Sequence, residues 1–308
     1  MGRIAAITNR LHNEYHEDKV GFFGFFESIQ DQAVANALFD ASASWLRHEG
    51  HTVMRGPASF STNDECGLLV WGFETPPTLM MPHNPVWYPA LVEQGGFTAV
   101  KDLLVYEGGS EEGSKVPERL TRGVELVTQR LGLKIRPLDL RRFRSEVDLI
   151  KSLYNQCWDR NWGFIPMTDA EIEHLAKQFR PVVVPDQVPI AEIDGKPIAF
   201  GLALPDLNTI FRSNRNGYLL PVLPRLLLSL KRETLRRARI LLLGIVPEWR
   251  GKGVDAVLYH WIWTRSGVHN MTWGEAGWIL EDNPAMNAGL IKMGFKHYKT
   301  LRMYDRPL

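Results

Sequence analysis

One segment, residues 240–263, constrains the fold of this chain more than any other. It begins with a branched, apolar run over 240–246, which is typical of a buried strand, and Pro247 ends that run. A short loop with two glycines and two cations follows, and a helix-like apolar stretch begins at about residue 256. A strand, a glycine-rich loop and a helix in this order aim backbone N–H groups and the positive end of a helix dipole at an anion. The segment therefore predicts an α/β fold with an anion-binding loop.

The residues of this loop have the chemistry that a phosphate site needs. Gly251 and Gly253 let the backbone come close to phosphate oxygens, while Arg250 and Lys252 add positive charge. A tight surface turn that binds nothing is the alternative interpretation of the same four residues.

The order of these residues also resembles the acyl-CoA-binding motif of the GNAT acyltransferase superfamily. That motif has Gln or Arg, two further residues, Gly, one further residue, and then Gly or Ala. Arg250 and Gly253 match it, whereas Asp255 stands at the last position. The resemblance implies that the strand end pairs with the pantetheine arm of acyl-CoA and that a nearby backbone N–H polarises the thioester. The residues that it assigns to cofactor binding are Ile245, Val246, Arg250, Gly251, Lys252, Gly253, Val254 and Asn283.

The residues downstream extend the resemblance. A second strand over 275–280 is followed by Asn283, a short helix-like stretch, Gly294 and Phe295, and a last strand around 298–304, as at the end of GNAT proteins. Asn283 contacts the pantetheine arm, caps the following helix, or does both. Leu290 stands where many members carry a tyrosine that protonates the departing thiolate. The resemblance therefore supports the ligand site more strongly than it supports the chemistry.

Acyl transfer to an amine also needs a base that takes a proton from the incoming ammonium group. Strand alternation makes Glu281 the first candidate, at the end nearer the predicted thioester, and Glu248 is the second. Tyr298 or Tyr304 is the candidate acid, although a thiolate can also leave unassisted because the pKa of a thiol is low. A solvated or capping carboxylate is the alternative for each glutamate, and a core position is the alternative for each tyrosine.

Composition argues against several other classes of function. The 308 residues carry 36 Lys and Arg against 35 Asp and Glu, so no overall field attracts nucleic acid. Cys66 and Cys157 lie far apart and form no metal or redox motif, and the nine histidines show no paired metal spacing. We therefore expect no metal, two buried thiols and a reducing cytoplasm.

The chain shows no sign of a membrane span or a signal peptide. No apolar run reaches the ~18 residues that a span needs, and the apolar start is too short for a signal peptide. The densest apolar stretch, 218–230, is interrupted by Pro221 and Pro224 and predicts a buried or interfacial helix. It belongs to an insertion over 210–237 that covers the active-site side or forms an interface. Basic residues interleaved with leucines over 225–239 predict a helix with a solvated cationic face.

The second part of the chain follows the order of one complete GNAT domain. A small, polar linker is predicted at 108–115, and Pro117 opens a helix to about residue 129, so that 108–132 form the linker and connecting helix. Residues 133–308 form the acyl-CoA-binding domain. Its predicted elements before the glycine loop are a strand at 134–138, helices at 146–158 and 169–179, and a hairpin of 188–193 and 197–204.

Residues 1–107 echo the second half of the same fold. Residues 2–7 parallel 195–200, and 63–73 parallel 283–295, with a strand candidate at 20–26 and an amphipathic helix at 32–48 between them. The turn before that helix carries Glu27 and Asp31 where a pyrophosphate would lie, and it has neither glycine nor cation. This part therefore resembles a partial, degenerate GNAT-like unit that packs against the C-terminal domain and binds no CoA. The pattern is compatible with a tandem two-domain parent, which the sequence does not by itself establish.

An aromatic, proline-rich segment at 80–89 has two interpretations. It packs as a rigid strap over the N-terminal sheet, or it forms a wall of an acceptor pocket between the two units. In the second interpretation, Trp158 and Trp162 contribute from the other side.

Together these patterns predict an α/β protein with a GNAT-like mixed, twisted sheet flanked by helices, preceded by a partial GNAT-like α/β unit. The resemblance implies a cytoplasmic acyltransferase, in particular an N-acetyltransferase. It would move an acyl group from acetyl-CoA or another acyl-CoA, by direct attack, to the amine of a small molecule or peptide. The alternative is an inactive GNAT-fold binding or scaffold protein that still binds CoA, which Asp255 and Leu290 favour. No nucleic-acid partner is expected, and a homo-oligomer is compatible with the sequence.

Overall fold

The computed structural model describes residues 1–110, 116–158 and 161–308. The first half of the chain contains five strands and three helices among these residues. They are β1 (Gly2–Ile7), α1 (Arg10–His16), β2 (Val20–Ser28), α2 (Gln32–His48), β3 (Val53–Gly56), β4 (Leu68–Trp71), α3 (Tyr88–Gln94) and β5 (Thr98–Gly109).

The second half begins with a connecting helix and continues through six further strands. Its elements are α4 (Glu118–Leu131), β6 (Lys134–Arg136), α5 (Phe143–Trp158), α6 (Asp169–Phe179), β7 (Ile190–Ile193), β8 (Lys196–Pro205), α7 (Asn208–Phe211), α8 (Leu219–Lys231), β9 (Arg237–Ile245), α9 (Val254–Val268), β10 (Trp273–Leu280), α10 (Pro284–Lys292) and β11 (Lys296–Pro307). Short 3-10 turns at Leu140–Arg142, Pro185–Gln187 and Pro247–Trp249 complete the described elements.

One mixed sheet passes through both halves and has a nearly symmetric strand order. Its strands follow one another as β1-β2-β3-β11-β5-β10-β9-β8-β7-β6, and β4 pairs with β11 beside this path. Strand β5 ends the first half but pairs with β10 of the second, while β11 ends the second half but pairs with β3 of the first. Each half therefore completes the sheet of the other. The predicted mixed α/β sheet flanked by helices is confirmed.

The two halves share one supersecondary unit, as the sequence echo predicts. In the first half, β1 pairs antiparallel with β2, α2 follows, and β3 returns parallel to β2. In the second, β8 pairs antiparallel with β9, α9 follows, and β10 returns parallel to β9. The halves then diverge. After β10 the chain forms α10, whereas the residues expected to match α10 form a turn and strand β4.

The equivalent helices α2 and α9 differ at their N-termini: a side chain caps the first helix, and no side chain caps the second. The Asp31 carboxylate caps α2 by accepting the backbone N–H groups of Ala33 and Val34. Helix α9 has Gly253 at its N-cap and no side-chain cap. The first turn of a helix holds N–H groups that need an acceptor. In α2 a side chain of the chain itself supplies the anion, while the start of α9 is left open to a ligand.

The boundary between the predicted units lies close to β5. Gly108 and Gly109, expected in the linker, are the last residues of β5, and residues 111–115 lie outside the described residues. The helix expected from Pro117 is α4, with Pro117 at its N-cap. The division into 1–107, 108–132 and 133–308 remains a prediction about folding units, because the strands interleave across it.

Candidate active site

Strands β9 and β10 separate in the middle of the sheet and open a V. They pair from Arg237 opposite Trp273 as far as Ile240 opposite Ala276, and the later residues of each strand line a cavity of about 340 Å³. Within the V, β9 is still paired with β8 on its other edge. The cavity-facing edge of β9 is therefore free to bind an extended ligand by backbone hydrogen bonds.

The free edge has a definite donor. The N–H of Val246 donates to Ile198 O at 3.0 Å, on the β8 side, so it does not face the cavity. Backbone N–H groups alternate between the two edges of a strand, so the N–H of Ile245 faces the V. Of the two residues expected near the thioester, Ile245 is therefore the one whose backbone N–H points into the V.

The glycine loop lies at the open end of the V. Gly251 and Gly253 have φ of 70° and 87°, the left-handed region that favours glycine, and α9 starts immediately after Gly253. A Cβ at Gly253 would come within 3.1 Å of Val127 Cγ2 on α4. The predicted succession of strand, glycine loop and helix is confirmed. It brings the first turn of α9, with its dipole and uncapped N–H groups, to the mouth of the cavity.

The two loop cations occupy different positions. Arg250 lines the cavity, and its guanidinium donates to Ile245 O at 3.2 Å and to Cys157 O at 2.6 Å. Lys252 is exposed and its Nζ lies 4.3 Å from the centre of the Trp249 ring. Arg250 therefore holds its charge at the edge of the V, whereas Lys252 adds charge from the outer surface.

Asn283 has both of its predicted roles within reach. Its side chain accepts the N–H of Met286 at 3.2 Å and so caps α10, and the residue also lines the cavity. Asp255 lines the cavity as well, close to α10, since a Cβ built at Gly289 would lie 3.7 Å from its Oδ2. Leu290, at the position of the missing tyrosine, is fully buried in the core between α9, α10 and the sheet.

The structure does not bring the predicted catalytic residues to the cavity. Glu281 is exposed, and its carboxylate accepts the N–H of Asp102 at 3.0 Å. Tyr298 is buried and donates its hydroxyl hydrogen to Glu275, while Tyr304 lies in the core of the first half and donates to Glu93 at 3.1 Å. Glu248 is exposed in the 3-10 turn before Arg250. None of the four is among the described residues that line the cavity.

The first half supplies polar groups that the sequence analysis did not select. The segment 62–66, in the turn that replaces a second α10, lines the cavity with Asn63 and Asp64. The Tyr154 hydroxyl donates to Asn63 Oδ1 at 2.7 Å, and the Ser61 hydroxyl donates to Asp64 Oδ2 at 3.1 Å. Burial raises the pKa of the Asp64 carboxyl above its usual 3.8, and the hydrogen bond from Ser61 opposes that change. The only sequence clue was the parallel between Asn63 and Asn283.

Carboxylates are scarce in the cavity. Among the described lining residues only Asp64 and Asp255 are acidic. Asp255 belongs to the first turn of α9, on the side where the loop offers its positive charge. Asp64 comes from the other half of the chain, in the turn at 62–66.

A buried ionic network supports the closed end of the V. Arg239 lines the cavity, and its Nε lies 3.3 Å from Glu275 Oε1. Glu275 also accepts hydrogen bonds from the hydroxyls of Thr78 and Tyr298. Arg239 donates to Gly277 O at 3.0 Å, where the two strands have separated. These bonds fix the point at which β9 and β10 diverge.

The proline-rich segment at 80–89 serves both of the roles considered for it. Met81 and Tyr88 are buried in the cores of the first half, as a strap requires. Met80 and Pro82 line the cavity, and so do Trp158 and Trp162 from the other half. The strap is thus also a wall of the cavity. Apolar residues cover much of the remaining lining; they include Phe164, Met167, Leu175, Phe179 and Leu202.

The histidines, cysteines and carboxylates were also compared with metal-binding arrangements. In the part of the chain that the structure describes, no group of three or more His, Cys, Asp or Glu residues could hold a metal ion. Cys66 and Cys157 are buried, as predicted, and form no disulfide with each other; burial raises the pKa of the Cys66 thiol to about 12. Among the described helices, none is long and apolar enough to cross a membrane.

Solved structures with the same architecture are GNAT proteins. A GCN5-related N-acetyltransferase from Sphaerobacter thermophilus superposes with a TM-score of 0.54 at 10% identity, covering 99% of this chain and 76% of that one. A tandem GNAT protein from the clavulanic acid biosynthesis pathway gives 0.51 at 10% identity, covering 94% and 75%. The fold is the one found in these GNAT structures, as the sequence resemblance predicts.

Sequence comparison narrows this class. No protein-family model matches the chain. It is 36% identical to a protein of Caulobacter vibrioides named bacterial ceramide synthase, with 100% of this chain and 81% of that protein covered. It is 34% identical to Protein YghO of Escherichia coli, with 100% and 79% covered. The chain belongs to the family of these two proteins, and it has the fold of the GNAT structures.

Proposed function

We propose that this protein is an acyl-CoA-dependent N-acyltransferase that joins a fatty acyl group to the amine of a long-chain amino alcohol. The observation that carries this proposal is the V between β9 and β10, which opens from the glycine loop into an apolar cavity walled by both halves. The product would be an amide of the ceramide type. The name of the Caulobacter relative supports this substrate class over acetyl transfer to a polar peptide.

The residues present suit acyl-CoA as the donor substrate. The pyrophosphate would meet the first turn of α9, where Gly253 provides no side-chain cap, with Arg250 beside it. The pantetheine arm would pair with the free edge of β9 near Ile245, next to Asn283. Acyl-CoA is made and used inside cells, so this chemistry assigns the reaction to the cytoplasmic side.

The apolar part of the cavity lining suits a hydrocarbon chain better than a polar acceptor. Trp158, Met167 and Phe179 come from the second half, and Met80 closes the opposite wall. Burying a hydrocarbon chain stabilises a complex by ~0.8 kcal/mol per CH₂ group. A cavity with this lining would therefore favour a fatty acyl donor and a long-chain amine over acetyl-CoA and a small polar amine.

The reaction removes two protons from the nitrogen and releases one leaving group. The ammonium first loses a proton, and the neutral amine then attacks the thioester carbonyl carbon, so that the C–N bond forms. The C–S bond breaks as CoA leaves as a thiolate, and the second proton passes from the nitrogen to that thiolate, directly or through water. We assign the removal of the ammonium proton to Asp64, directly or through water, since it is the carboxylate that faces the cavity from the acceptor side. Glu281 remains the competing candidate from sequence. Tyr298 donates its hydroxyl hydrogen to Glu275 and therefore does not serve as the acid. The thiolate can leave unassisted, because the pKa of a thiol is low.

The proposal is tested by incubating the purified protein with palmitoyl-CoA and sphinganine, and measuring amide formation by mass spectrometry. Gly253→Glu places bulk and negative charge at the start of α9, so we expect loss of CoA binding and of product. Gly267→Glu is the matched control, because Gly267 is exposed near the other end of α9 and an added Cβ there meets no atom within 4 Å. Arg250→Ala should weaken CoA binding by about 1–3 kcal/mol.

The competing functions give different results in the same experiment. CoA binding without any amide product from long-chain or short-chain amines would indicate the inactive binding protein, which Asp255 and Leu290 favour. Acetyl transfer to a small amine, with none from palmitoyl-CoA, would contradict the proposed substrate class. Unchanged CoA affinity in a Gly253→Glu variant with a native circular dichroism spectrum would show that the loop is only a turn.

A further inference from the structure

The outer face of α8 exposes a stripe of leucines. Leu220, Leu223 and Leu227 are 85%, 41% and 54% exposed. The opposite face is already used, since Val222 and Leu226 pack into a small core with Leu207, Ile210 and Leu235. Helix α8 is therefore apolar on two sides, and only one of them is covered by the protein.

The apolar surface continues beyond the helix. Tyr218 at the N-cap of α8 is 70% exposed, and Phe211 and Leu228 also expose much of their side chains. Contiguous exposed apolar surface of this kind marks an interaction site, whereas isolated exposed hydrophobic residues do not. We call the surface formed by Phe211, Tyr218, Leu220, Leu223, Leu227 and Leu228 the α8 surface.

The charged residues of the segment that carries the α8 surface all have one sign. Residues 207–232 contain five basic residues and no Asp or Glu. All five are exposed; they are Arg212, Arg215, Arg225, Lys231 and Arg232. The acidic residues that bound the segment have other partners, because Asp206 is buried and Glu233 lies 2.7 Å from His269. A cationic rim around exposed leucines is complementary to an anionic surface with an apolar interior.

The α8 surface is connected to the cavity wall. Leu79 packs against the core beneath α8, and the next residue, Met80, lines the cavity. Val182 packs against the same core, and Phe179 on the preceding turn lines the cavity. A surface that α8 contacts would therefore lie on the same side of the molecule as the strap wall of the cavity.

We propose that the α8 surface docks on an anionic phospholipid membrane. The exposed leucines and Tyr218 enter the boundary between headgroups and acyl chains, and the five cations lie among the lipid phosphates. A second copy of this chain suits the surface poorly, because pairing two such surfaces would bring ten positive charges together with no acidic residue between them. The inference does not depend on acyl transfer, although docking there would bring the cavity close to membrane-borne lipid substrates.

The test measures vesicle binding by flotation, without any substrate. Wild-type protein should float with vesicles of phosphatidylcholine containing about 30% phosphatidylglycerol, bind pure phosphatidylcholine at least about tenfold more weakly, and dissociate as salt is raised. Leu220→Glu and Leu223→Glu/Leu227→Glu should weaken partitioning by about tenfold or more. The matched control is Leu126→Glu, since Leu126 is 68% exposed and belongs to α4 rather than to the α8 surface.

Two further variants test separate parts of the proposal. The first tests the contribution of the cations to vesicle binding, and the second tests whether vesicle binding is independent of acyl transfer. Lys231→Glu/Arg232→Glu should reduce binding to anionic vesicles and remove most of its salt dependence. Gly253→Glu should bind vesicles like the wild type, whatever its effect on acyl transfer. Equal binding by wild type and the leucine variants, each with a native circular dichroism spectrum, would overturn the proposal. So would a dimer, measured by light scattering, that the same variants dissociate while vesicle binding is absent.

Discussion

At the scale of single residues, two aspartates line the cavity from different halves of the chain, and the sequence alone does not show which of them faces the acceptor. Asp255 belongs to the helix that would meet the pyrophosphate, whereas Asp64 reaches the cavity from the other half of the chain. Asp64 keeps part of its surface exposed, and partial desolvation of its carboxyl raises the pKa, which makes it a stronger base than a fully solvated aspartate. Glu281 has the chemistry of a base, but its carboxylate is bonded to the backbone at Asp102. Position, rather than residue type, selects the candidate.

Asp64→Asn should lower kcat for amide formation by about 10²–10⁴-fold, with little change in the KM for acyl-CoA. Only the ionised carboxylate accepts a proton, so wild-type activity should fall as pH is lowered through a pKa that lies above 3.8. The variant should not show this decrease in rate on the acidic side of the pH profile. The measurement is a pH profile of initial rates. Glu65→Gln, at the exposed neighbouring residue, serves as the control. A normal rate in Asp64→Asn together with a large loss in Glu281→Gln would restore Glu281 as the base.

At the scale of elements, the opening between β9 and β10 depends on buried charge. Glu275 and Arg239 face each other across the last paired residues of the two strands, and both are buried. Tyr298 of β11 and Thr78 of the strap complete the hydrogen bonds of the Glu275 carboxylate. The tyrosine that sequence selected as an acid thus supports the network that shapes the site.

Glu275→Ala should destabilise the protein by about 3–5 kcal/mol, because it leaves the Arg239 guanidinium buried without its counter-charge. Arg239→Met/Glu275→Leu removes both charges and should recover much of that loss. Urea denaturation measures both effects, with Glu125→Ala on the exposed side of α4 as the control. A cost below ~1 kcal/mol for Glu275→Ala would mean that the ion pair contributes little to the structure.

At the scale of the whole molecule, the two halves exchange their last strands. Strand β11 lies between β3 and β5, and its Leu301, Met303 and Tyr304 are fully buried in cores of the first half. The two units predicted from sequence therefore share one continuous sheet. This arrangement also accounts for the cavity, because strap residues of one half can wall a V formed by strands of the other.

A fragment of residues 1–107 should consequently fail to fold alone. Without β11, the edges of β3 and β5 lose their partners, and the apolar face that β11 covers becomes exposed. Circular dichroism and thermal melting should show little native structure and no cooperative transition, whereas the full chain should melt cooperatively. A cooperative melt of the fragment would support the first unit as an independent domain.

The sequence by itself determined the local elements and the ligand loop. Helix α6 begins as predicted because Thr168 and Glu171 form a capping box, and the glycine loop joins β9 to α9 as predicted because only glycine readily adopts the backbone conformation at residues 251 and 253. Both depend on interactions within a few residues, so the pattern is visible in the chain.

Only the tertiary structure decided which side chains face the cavity. Asn63 and Asp64 reach it because the first half forms a turn where the second forms α10. Tyr298 donates to Glu275 because β11 and β10 lie on either side of β5 in the same sheet. Likewise, the leucines of α8 divide into a buried and an exposed set through contacts with Leu207, Ile210 and Leu235. These outcomes depend on contacts between residues far apart in sequence, and periodicity within one element carries no information about its partners.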